Sequence, residues 1–265
     1  MTSQGKKQAR RRALALALFI AAPALAQDML RGVDLAQPAY SASETTRREV
    51  EAALAARKPE EALDYSGKSL NGLDLSNLDL SNVNFRAARL VKAKLAGAKL
   101  DHATLDQAWL LEADLTGASL VGARLFAAQM QRLRADGADF SQARIAGDLT
   151  GASLRGAKFV AADLSADMKN QSMGLMRAVL ATAIVEGADF SAANLSRADL
   201  RFLHAAGANF QGARLDGADA SGADFAGATW DGARASDLDL DQARIDPAAK
   251  AALKDAKNLD KTRAP

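Results

Sequence analysis

The sequence predicts an all-β solenoid, a right-handed quadrilateral parallel β-helix with short capping helices at both ends. Three observations lead to the solenoid. Large apolar residues recur at every fifth position between residues 63 and 245, alanine stands two places before most of them, and glycine often follows shortly after. Neither an α-helix, with its period of 3.6 residues, nor a strand, with its period of two, produces this spacing. Internal repetition therefore decides the fold class.

A period of five residues fits a square coil in which each pentad forms one side. The alanine and the large residue point inward, the other three residues point outward, and coils stack about 4.7 Å apart as parallel strands. At Leu133/Ala135 and Leu203/Ala205 the large and small residues exchange places. This exchange conserves the volume of a close-packed interior. An alanine-rich helical array is disfavoured, because each helical glycine would cost about 1 kcal/mol.

The repeats also carry a recognisable motif. Pentads such as "ADLTG", "ASLVG", "ADFSQ", "ANLSR" and "ADFAG" resemble those of the pentapeptide-repeat proteins. The resemblance implies the right-handed winding and the four sides, with roughly nine coils in a rod about 40 Å long. It implies little about activity. The quinolone-resistance members of this family mimic DNA and bind DNA gyrase.

The chain begins with a predicted secretory signal peptide at 1–26. Five basic residues precede an apolar run at 13–22, and a small-x-small pattern predicts cleavage after Ala26. The run is too short for a transmembrane helix, and an uncleaved anchor is the alternative. We therefore expect a periplasmic or secreted protein with no membrane span after cleavage.

Two segments flank the repeats. Residues 27–62 contain a predicted capping helix, in which Thr46 and Glu49 can form a capping box. Residues 246–265 are predicted to form a second capping helix and a tail, with proline at the first helical position. Both helices suit lids over the unpaired edges of the solenoid, and free interaction helices are the alternative.

The pentad pattern of 63–245 is irregular at 165–174, where we expect a bulge or short loop rather than a domain boundary. Met168, Met173 and Met176 lie there, and methionine clusters in exported proteins can bind Cu(I). The favoured alternative is that they fill an irregular gap in the core, because the segment has no histidine or cysteine. No metal site or cofactor is therefore predicted.

No catalytic site is predicted either. The two histidines, His102 and His204, are separated by about five coils in the repeat count, and the chain has no cysteine. The many outward aspartates lie on a convex rod without a cleft, where solvated carboxylates are expected.

One outward cluster suits protein binding, because contiguous exposed apolar surface often marks an interaction site. All of its members fall on outward positions of the repeat and are expected to face solvent. The alternative is that the N-terminal helix or the segment 27–42 folds back over them. The candidate interaction patch comprises Val91, Trp109, Leu111, Val121 and Phe126.

A second candidate is a stripe of like charges. It is assigned to the column that carries Asp74, Lys94, Asp114 and Arg134 in the lower half of the rod. Such a stripe costs stability and hints at a cation or a basic partner, although Arg197 and Arg201 could neutralise it. The candidate acidic stripe comprises Asp199, Asp219, Asp239 and Asp241.

The net charge argues against some classes of partner. The whole chain carries +2, and removing the five basic residues of the signal peptide leaves 34 − 5 = 29 bases against 32 acids, or −3. This near-neutral balance argues against a nucleic-acid partner. The sequence favours a non-catalytic periplasmic structural or protein-interaction solenoid, with which a homodimer is compatible. The alternatives are a DNA-mimicking topoisomerase-binding protein, which needs a strongly acidic surface, and a glycan- or cation-binding β-helix.

Overall fold

The coil in the computed structural model has four sides. The structure describes residues 34–35, 37–58, 62–168 and 176–265, which belong to one compact unit. Isolated parallel bridges join residues twenty apart, as in Asp64 with Asn84 and Ser69 with Arg89. Four pentads therefore complete one coil, as the period predicted. The predicted signal peptide lies outside the described residues.

We name the sides A to D by the residue at which each bridged column begins: Asp64, Ser69, Asp74 and Asp79. Side A continues through Asn84, Thr104, Arg124, Arg144, Asp163, Asn194, Arg214 and Arg234. Side B continues through Arg89, Trp109, Gln129, Asp148, Val179, Asp199, Asp219 and Asp239. Side C continues through Lys94, Asp114, Arg134, Ser153, Ile184, His204, Asp224 and Arg244. Side D continues through Lys99, Ser119, Asp139, Lys158, Asp189, Asn209 and Thr229.

Regular elements are few, because most sides contribute one bridge and then turn. Two strands run parallel around the corner between sides A and B. The elements are α1 (Pro38–Ser41), α2 (Arg47–Ala56), β1 (Arg124–Gln129), β2 (Arg144–Asp148) and two 3₁₀ helices, Pro247–Ala251 and Leu259–Lys261.

The interior is the predicted column of alanine and large apolar residues. Both exchanged pairs, including Leu133 and Ala135, are buried, so the volume argument is confirmed. Inside side D, aromatic rings stack with centroid separations of 5.0, 4.7, 5.2 and 4.6 Å, a geometry that adds to the energy of burial. In order, the rings of this ladder are Phe140, Phe159, Phe190, Phe210 and Trp230.

Helix α2 begins with the predicted capping box. The Thr46 hydroxyl accepts from the Glu49 backbone N–H, and the Glu49 carboxylate accepts from the Thr46 backbone N–H at 2.8 Å. The bond from that backbone N–H is the main cause that lowers the pKa of Glu49, aided by the hydroxyls of Thr45 and Thr46. Val50, the next residue of α2, is buried in the solenoid core.

The N-terminal segment also pairs with the lower edge of the first coil. The Glu44 backbone N–H donates to the Ser69 carbonyl on side B at 2.8 Å. Arg47 donates to the Asp74 carbonyl at 3.2 Å, and Arg57 donates to the Ser81 carbonyl at 2.9 Å. These bonds satisfy edge carbonyls that would otherwise be available to another strand.

The C-terminal segment differs from the predicted helix. After a short 3₁₀ helix, Leu253 is buried over the core, and the chain then bridges Asp239 with Lys257 and Arg244 with Arg263. The unpaired edge of sides B and C explains the difference. Extended backbone can satisfy its donors and acceptors, whereas an α-helix of this length would leave them unpaired.

The break in the repeats adds residues without adding sides. Asp163 lies on side A and bridges Asn194, whereas Val179 lies on side B and bridges Asp148. The sixteen-residue step from Asp163 to Val179 therefore advances the chain by one side, where a pentad takes five residues. Residues 169–175 lie outside the described part, and the Asp167 backbone N–H donates to the Met176 carbonyl across the break at 2.8 Å.

Candidate functional site

Three irregularities of the repeat fall on one corner, between sides A and B, in three successive coils. The lowest is β1, which runs as a continuous strand around the corner. In the next coil β2 turns the same corner with one residue fewer, since Leu149 follows Ile145 by four positions. The coil above carries the insertion between Asp163 and Val179. Both the missing residue and the insertion can be seen in the sequence, but the periodicity alone does not show that they lie one above the other at the same corner.

Gly147 lets the shortened corner approach β1. A Cβ atom at this position would lie 2.5 Å from the Ala128 carbonyl oxygen and 3.1 Å from both the Ala128 backbone nitrogen and the Met130 Cε. Two of these neighbours are backbone atoms, which cannot move aside as a flexible side chain can. Glycine is therefore required here by the close approach of two chains.

A cavity of about 460 Å³ lies at this corner. Arg124 and Arg144 border it from side A, and Phe126 borders it from the turn of β1. The coil below contributes Asp106, and the start of the insertion contributes Asp167, both of which are buried. The cavity thus combines two guanidinium groups, an aromatic ring and two carboxylates.

The charges in the cavity are unequally matched. The Asp106 carboxylate accepts from the Arg124 guanidinium at 2.8 Å and from the Phe126 backbone N–H at 3.0 Å. Within the described part of the chain, the Arg144 guanidinium has no hydrogen bond or ion pair. Arg144 is therefore a cation beside an aromatic ring that is available to a group from outside.

The predicted interaction patch is partly covered. Trp109 lies outside the coil with 39% of its surface exposed, but Val91 and Leu111 are buried at 0% and 4% exposure. The prediction that these two face solvent was wrong, because the N-terminal segment lies against side B. Tyr40 stacks on Trp109 with ring centroids 6.1 Å apart, which agrees with the alternative that the segment 27–42 folds back.

The rest of the patch is divided between corners. Val121 follows side D and lies at the corner before side A, whereas Phe126 lies at the corner before side B. Both side chains are half-buried. Only Phe126 borders the cavity, and Trp109 is one coil below Gln129, the last residue of β1.

The acidic stripe lies on side B, so its assignment to the column of Asp74 was wrong. Asp199 follows Asp74 by 125 residues, which is not a whole number of twenty-residue coils, and the insertion then changes the side again. The stripe is also matched by bases. Asp199, only 2% exposed, accepts from Arg201 at 2.8 and 2.6 Å, and this bonding is the main cause that raises the pKa of Arg201. Arg177 is a second partner at 3.5 Å.

The upper members of the stripe have partners too. Asp219 lies 3.8 Å from the Arg201 guanidinium, Asn258 donates to Asp239 at 2.8 Å, and Lys261 lies 3.5 Å from Asp241. Arg197, the other predicted neutraliser, makes no ion pair with the stripe among the described residues. This pairing removes the uncompensated charge from which a cation site was inferred.

The structure also places the other residues considered for chemistry. Met168 is 43% exposed and so does not fill a gap in the core, while Met173 lies outside the described residues. His102 and His204 lie on different sides. Among the residues described, no three histidine, aspartate or glutamate side chains could together hold a metal ion. In the same part of the chain, no helix is long and apolar enough to cross a membrane.

Comparison with solved structures finds several repeat proteins. A trypsin-treated variant of QnrB1, a plasmid-mediated fluoroquinolone resistance protein, is 20% identical, with 69% of this chain and 82% of that chain covered and a TM-score of 0.40. HetL from the cyanobacterium Nostoc, involved in heterocyst differentiation regulation, is 24% identical, with 74% and 97% covered and a TM-score of 0.24. A protein of the Arabidopsis thaliana thylakoid lumen is 23% identical, with 52% and 75% covered and a TM-score of 0.14.

Comparison with curated proteins gives no significant match. The family model for pentapeptide repeats matches eight copies, at residues 69–107, 110–147, 175–212 and 208–246, which together make up more than half of the chain. These matches fall on the coils described above, and none of them covers residues 148–174. The chain belongs to the pentapeptide-repeat family.

Proposed function

We propose that the protein is an exported, non-catalytic solenoid that binds a protein partner at the corner between sides A and B. The observation that carries the proposal is the convergence of a continuous strand, a shortened turn and an insertion on this one corner. In repeat proteins, insertions gather on one face, which is often the binding face. Between residues 64 and 244, the other described corners keep the pentad, so selection for stacking alone does not account for this one.

The chemistry of the corner suits a protein surface. Aromatic residues and arginine contribute most to the energy of protein interfaces, and fully desolvated anchors contribute more than exposed charges. Phe126 and Arg144, which has no ion pair among the described residues, border the same cavity, and Arg124 is held in place by Asp106. A partner that inserts a carboxylate beside an apolar group would match this arrangement.

Export is part of the proposal. The basic start, the short apolar run and the cleavage pattern of residues 1–26 favour secretion, with Gln27 as the first residue of the mature protein. Right-handed winding follows from the family, and we propose that α2 and the C-terminal segment act as caps. Caps that occupy both edges would keep the rod from stacking end to end with other copies.

The test uses two arginines from the same column. Arg144 borders the cavity, whereas Arg234 lies on side A in a distant coil and is exposed, also without an ion pair among the described residues. Full-length wild type, Arg144→Glu and Arg234→Glu would be expressed in the native host, cross-linked in the periplasm and compared by quantitative mass spectrometry.

We expect the same cross-linked protein with wild type and Arg234→Glu, and its loss with Arg144→Glu at an unchanged melting temperature. Equal recovery with both variants would contradict binding at the corner. Mass spectrometry of the purified N-terminus tests export separately, because a chain that retains residues 1–26 in the cytoplasm would contradict it.

A further inference from the structure

We propose that the C-terminal end of side D is a docking site for an extended, positively charged peptide segment of a partner protein. This site is separate from the corner between sides A and B and does not depend on it. It rests on an interrupted ladder of backbone hydrogen bonds, an adjoining cavity and the charges at its two ends.

The ladder of side D stops before the cap. Elsewhere on side D, adjacent coils exchange backbone hydrogen bonds in both directions. The Phe190 backbone N–H donates to the Asn209 carbonyl in the coil above, and the Thr229 backbone N–H donates to the Ala208 carbonyl in the coil below. The next step would use the Trp230 backbone N–H and the Ala228 carbonyl. Neither group has a hydrogen-bond partner within the described part of the chain.

Two other sides show that this gap is not general. Lys257 continues side B and Arg263 continues side C, each with hydrogen bonds to the coil below. Between them and the last coil the chain forms the 3₁₀ helix Pro247–Ala251, whose Ala249 packs against the core, and no described residue bridges Thr229 of side D or Arg234 of side A from above. The sheet edge is therefore left open on sides D and A, and an open edge is a template for another strand.

A cavity occupies the open place. It has a volume of about 350 Å³ and lies between residues 227–231 and 246–252. Ala228 is half-buried, whereas the equivalent Ala208 in the coil below is fully buried, so the cavity reaches the solenoid interior. Trp230 lines the cavity and is 3% exposed, and its indole Nε1 is buried without a partner in the described structure.

An extended backbone is the group that completes this edge. A peptide at the ordinary strand spacing would accept from the Trp230 backbone N–H and donate to the Ala228 carbonyl, as in β-strand addition. The Asp246 carboxylate already accepts from the Gly227 backbone N–H at 2.6 Å, where the coil below uses the Ala226 carbonyl for Gly207. The chain thus supplies one missing acceptor itself and leaves the rest of the side free.

The residues that line the cavity indicate the charge of the peptide that would bind there. Asp231 and Asp246 border the cavity, and Asp231 is exposed with no ion pair among the described residues. A lysine or arginine on the peptide would therefore face carboxylates. The small Ala228 beneath the peptide leaves room for a short side chain pointing inward.

A second copy of this chain is a poorer occupant. Its lower edge is covered by α2, and its edge carbonyls at Ser69, Asp74 and Ser81 already accept hydrogen bonds from the N-terminal segment. Stacking two rods end to end would require these bonds to break. The partner is therefore a separate polypeptide with an exposed extended segment.

The test uses NMR spectroscopy of the indole N–H groups. The chain has two tryptophans, so a Trp109→Phe variant leaves the Trp230 signal alone. The probe is the peptide Lys-Ala-Thr-Ala-Lys, with Glu-Ala-Thr-Ala-Glu and a version N-methylated at threonine as comparisons. We expect the lysine peptide to shift the backbone and indole signals of Trp230.

Affinity should fall about fivefold with the variant Asp231→Lys, as a surface ion pair is lost. It should be unchanged with Asp260→Lys, an exposed aspartate of the same C-terminal segment. The N-methylated peptide should bind about tenfold more weakly, because it lacks the donor for Ala228. Equal binding of all three peptides, or no shift at millimolar peptide, would overturn the proposal. So would the same shift on raising the protein concentration alone, which would identify a second copy.

Discussion

Replacing Gly147 with alanine should destabilise the corner between sides A and B. The added Cβ would meet the Ala128 carbonyl oxygen at 2.5 Å, and an ordinary contact needs about 0.9 Å more. Since the obstructing atoms belong to the backbone of β1, β2 must move away from its parallel neighbour. Overpacking of this kind costs about 1–3 kcal/mol. For a chain of this size we expect a melting temperature about 4–8 °C lower for a cost near the middle of that range.

A matched control separates this clash from the general effect of removing a glycine. Gly137 has φ +68° and nothing within 4 Å of an added Cβ, and alanine already adopts the equivalent conformation at Ala127. Gly137→Ala should therefore cost about 1–2 kcal/mol from its left-handed backbone alone, without loosening β1 or β2. Thermal unfolding followed by circular dichroism, with hydrogen exchange of β1 and β2, measures both variants. Hydrogen exchange of β1 and β2 that is no faster in Gly147→Ala than in Gly137→Ala would refute the close approach at Gly147.

Three further outcomes are expected. Trp109→Ala should cost about 1 kcal/mol and speed hydrogen exchange around Tyr40, and unchanged exchange would show that the stacking does not hold this segment. Because the pKa of Glu49 is lowered by its capping box, the contribution of the box is present above the ordinary glutamate pKa and is lost as the pH falls through the folded value. A Glu49→Gln variant should therefore show a smaller loss of melting temperature on acidification. Arg201→Ala should cost about 1–3 kcal/mol in urea unfolding, because it leaves the buried Asp199 with only the distant Arg177 as a cationic partner and the backbone N–H of residue 201 as a donor, and Asp199→Asn in the same chain should recover part of that loss.

The coil was predictable because each pentad repeats the same steric problem. An alanine and a larger apolar residue must fill a narrow interior, so Leu133 and Ala135 could be placed inside even where their order is exchanged. The capping box of Thr46 and Glu49 was equally readable, since it depends on residues three apart. Both predictions depend only on the spacing of residues that are close together in the sequence.

Contacts between segments that are distant in the sequence could not be predicted from the spacing of the repeats. Val91 is not part of the solenoid core, yet it is fully buried, and Tyr40 of the N-terminal segment stacks on Trp109 of the same side. The stripe that starts at Asp199 was assigned to the wrong side, because its distance from Asp74 is not a whole number of coils, and a count of fives cannot tell how many sides an insertion contributes. The shortened turn at Gly147 was a visible signal, but its position beneath the insertion needed the structure.

The register across the insertion is the central structural claim, because it places the insertion above Phe126 and Arg144. The chain contains no cysteine, so a disulfide between two engineered cysteines can be detected without competition from native thiols. If the step from Asp163 to Val179 advances one side, Val179 bridges Asp148; if the inserted residues formed two further sides, it would lie beside Lys158 instead. Bridged residues of adjacent strands lie within the Cα separation that a disulfide allows, about 4.4–6.8 Å.

The most direct measurement is therefore disulfide formation in two double variants under mild oxidation, quantified by peptide mass spectrometry. We predict that Asp148→Cys with Val179→Cys forms an intramolecular disulfide in high yield and that Lys158→Cys with Val179→Cys does not. The reverse result would contradict the register and would remove the insertion from the corner at which we place the binding site.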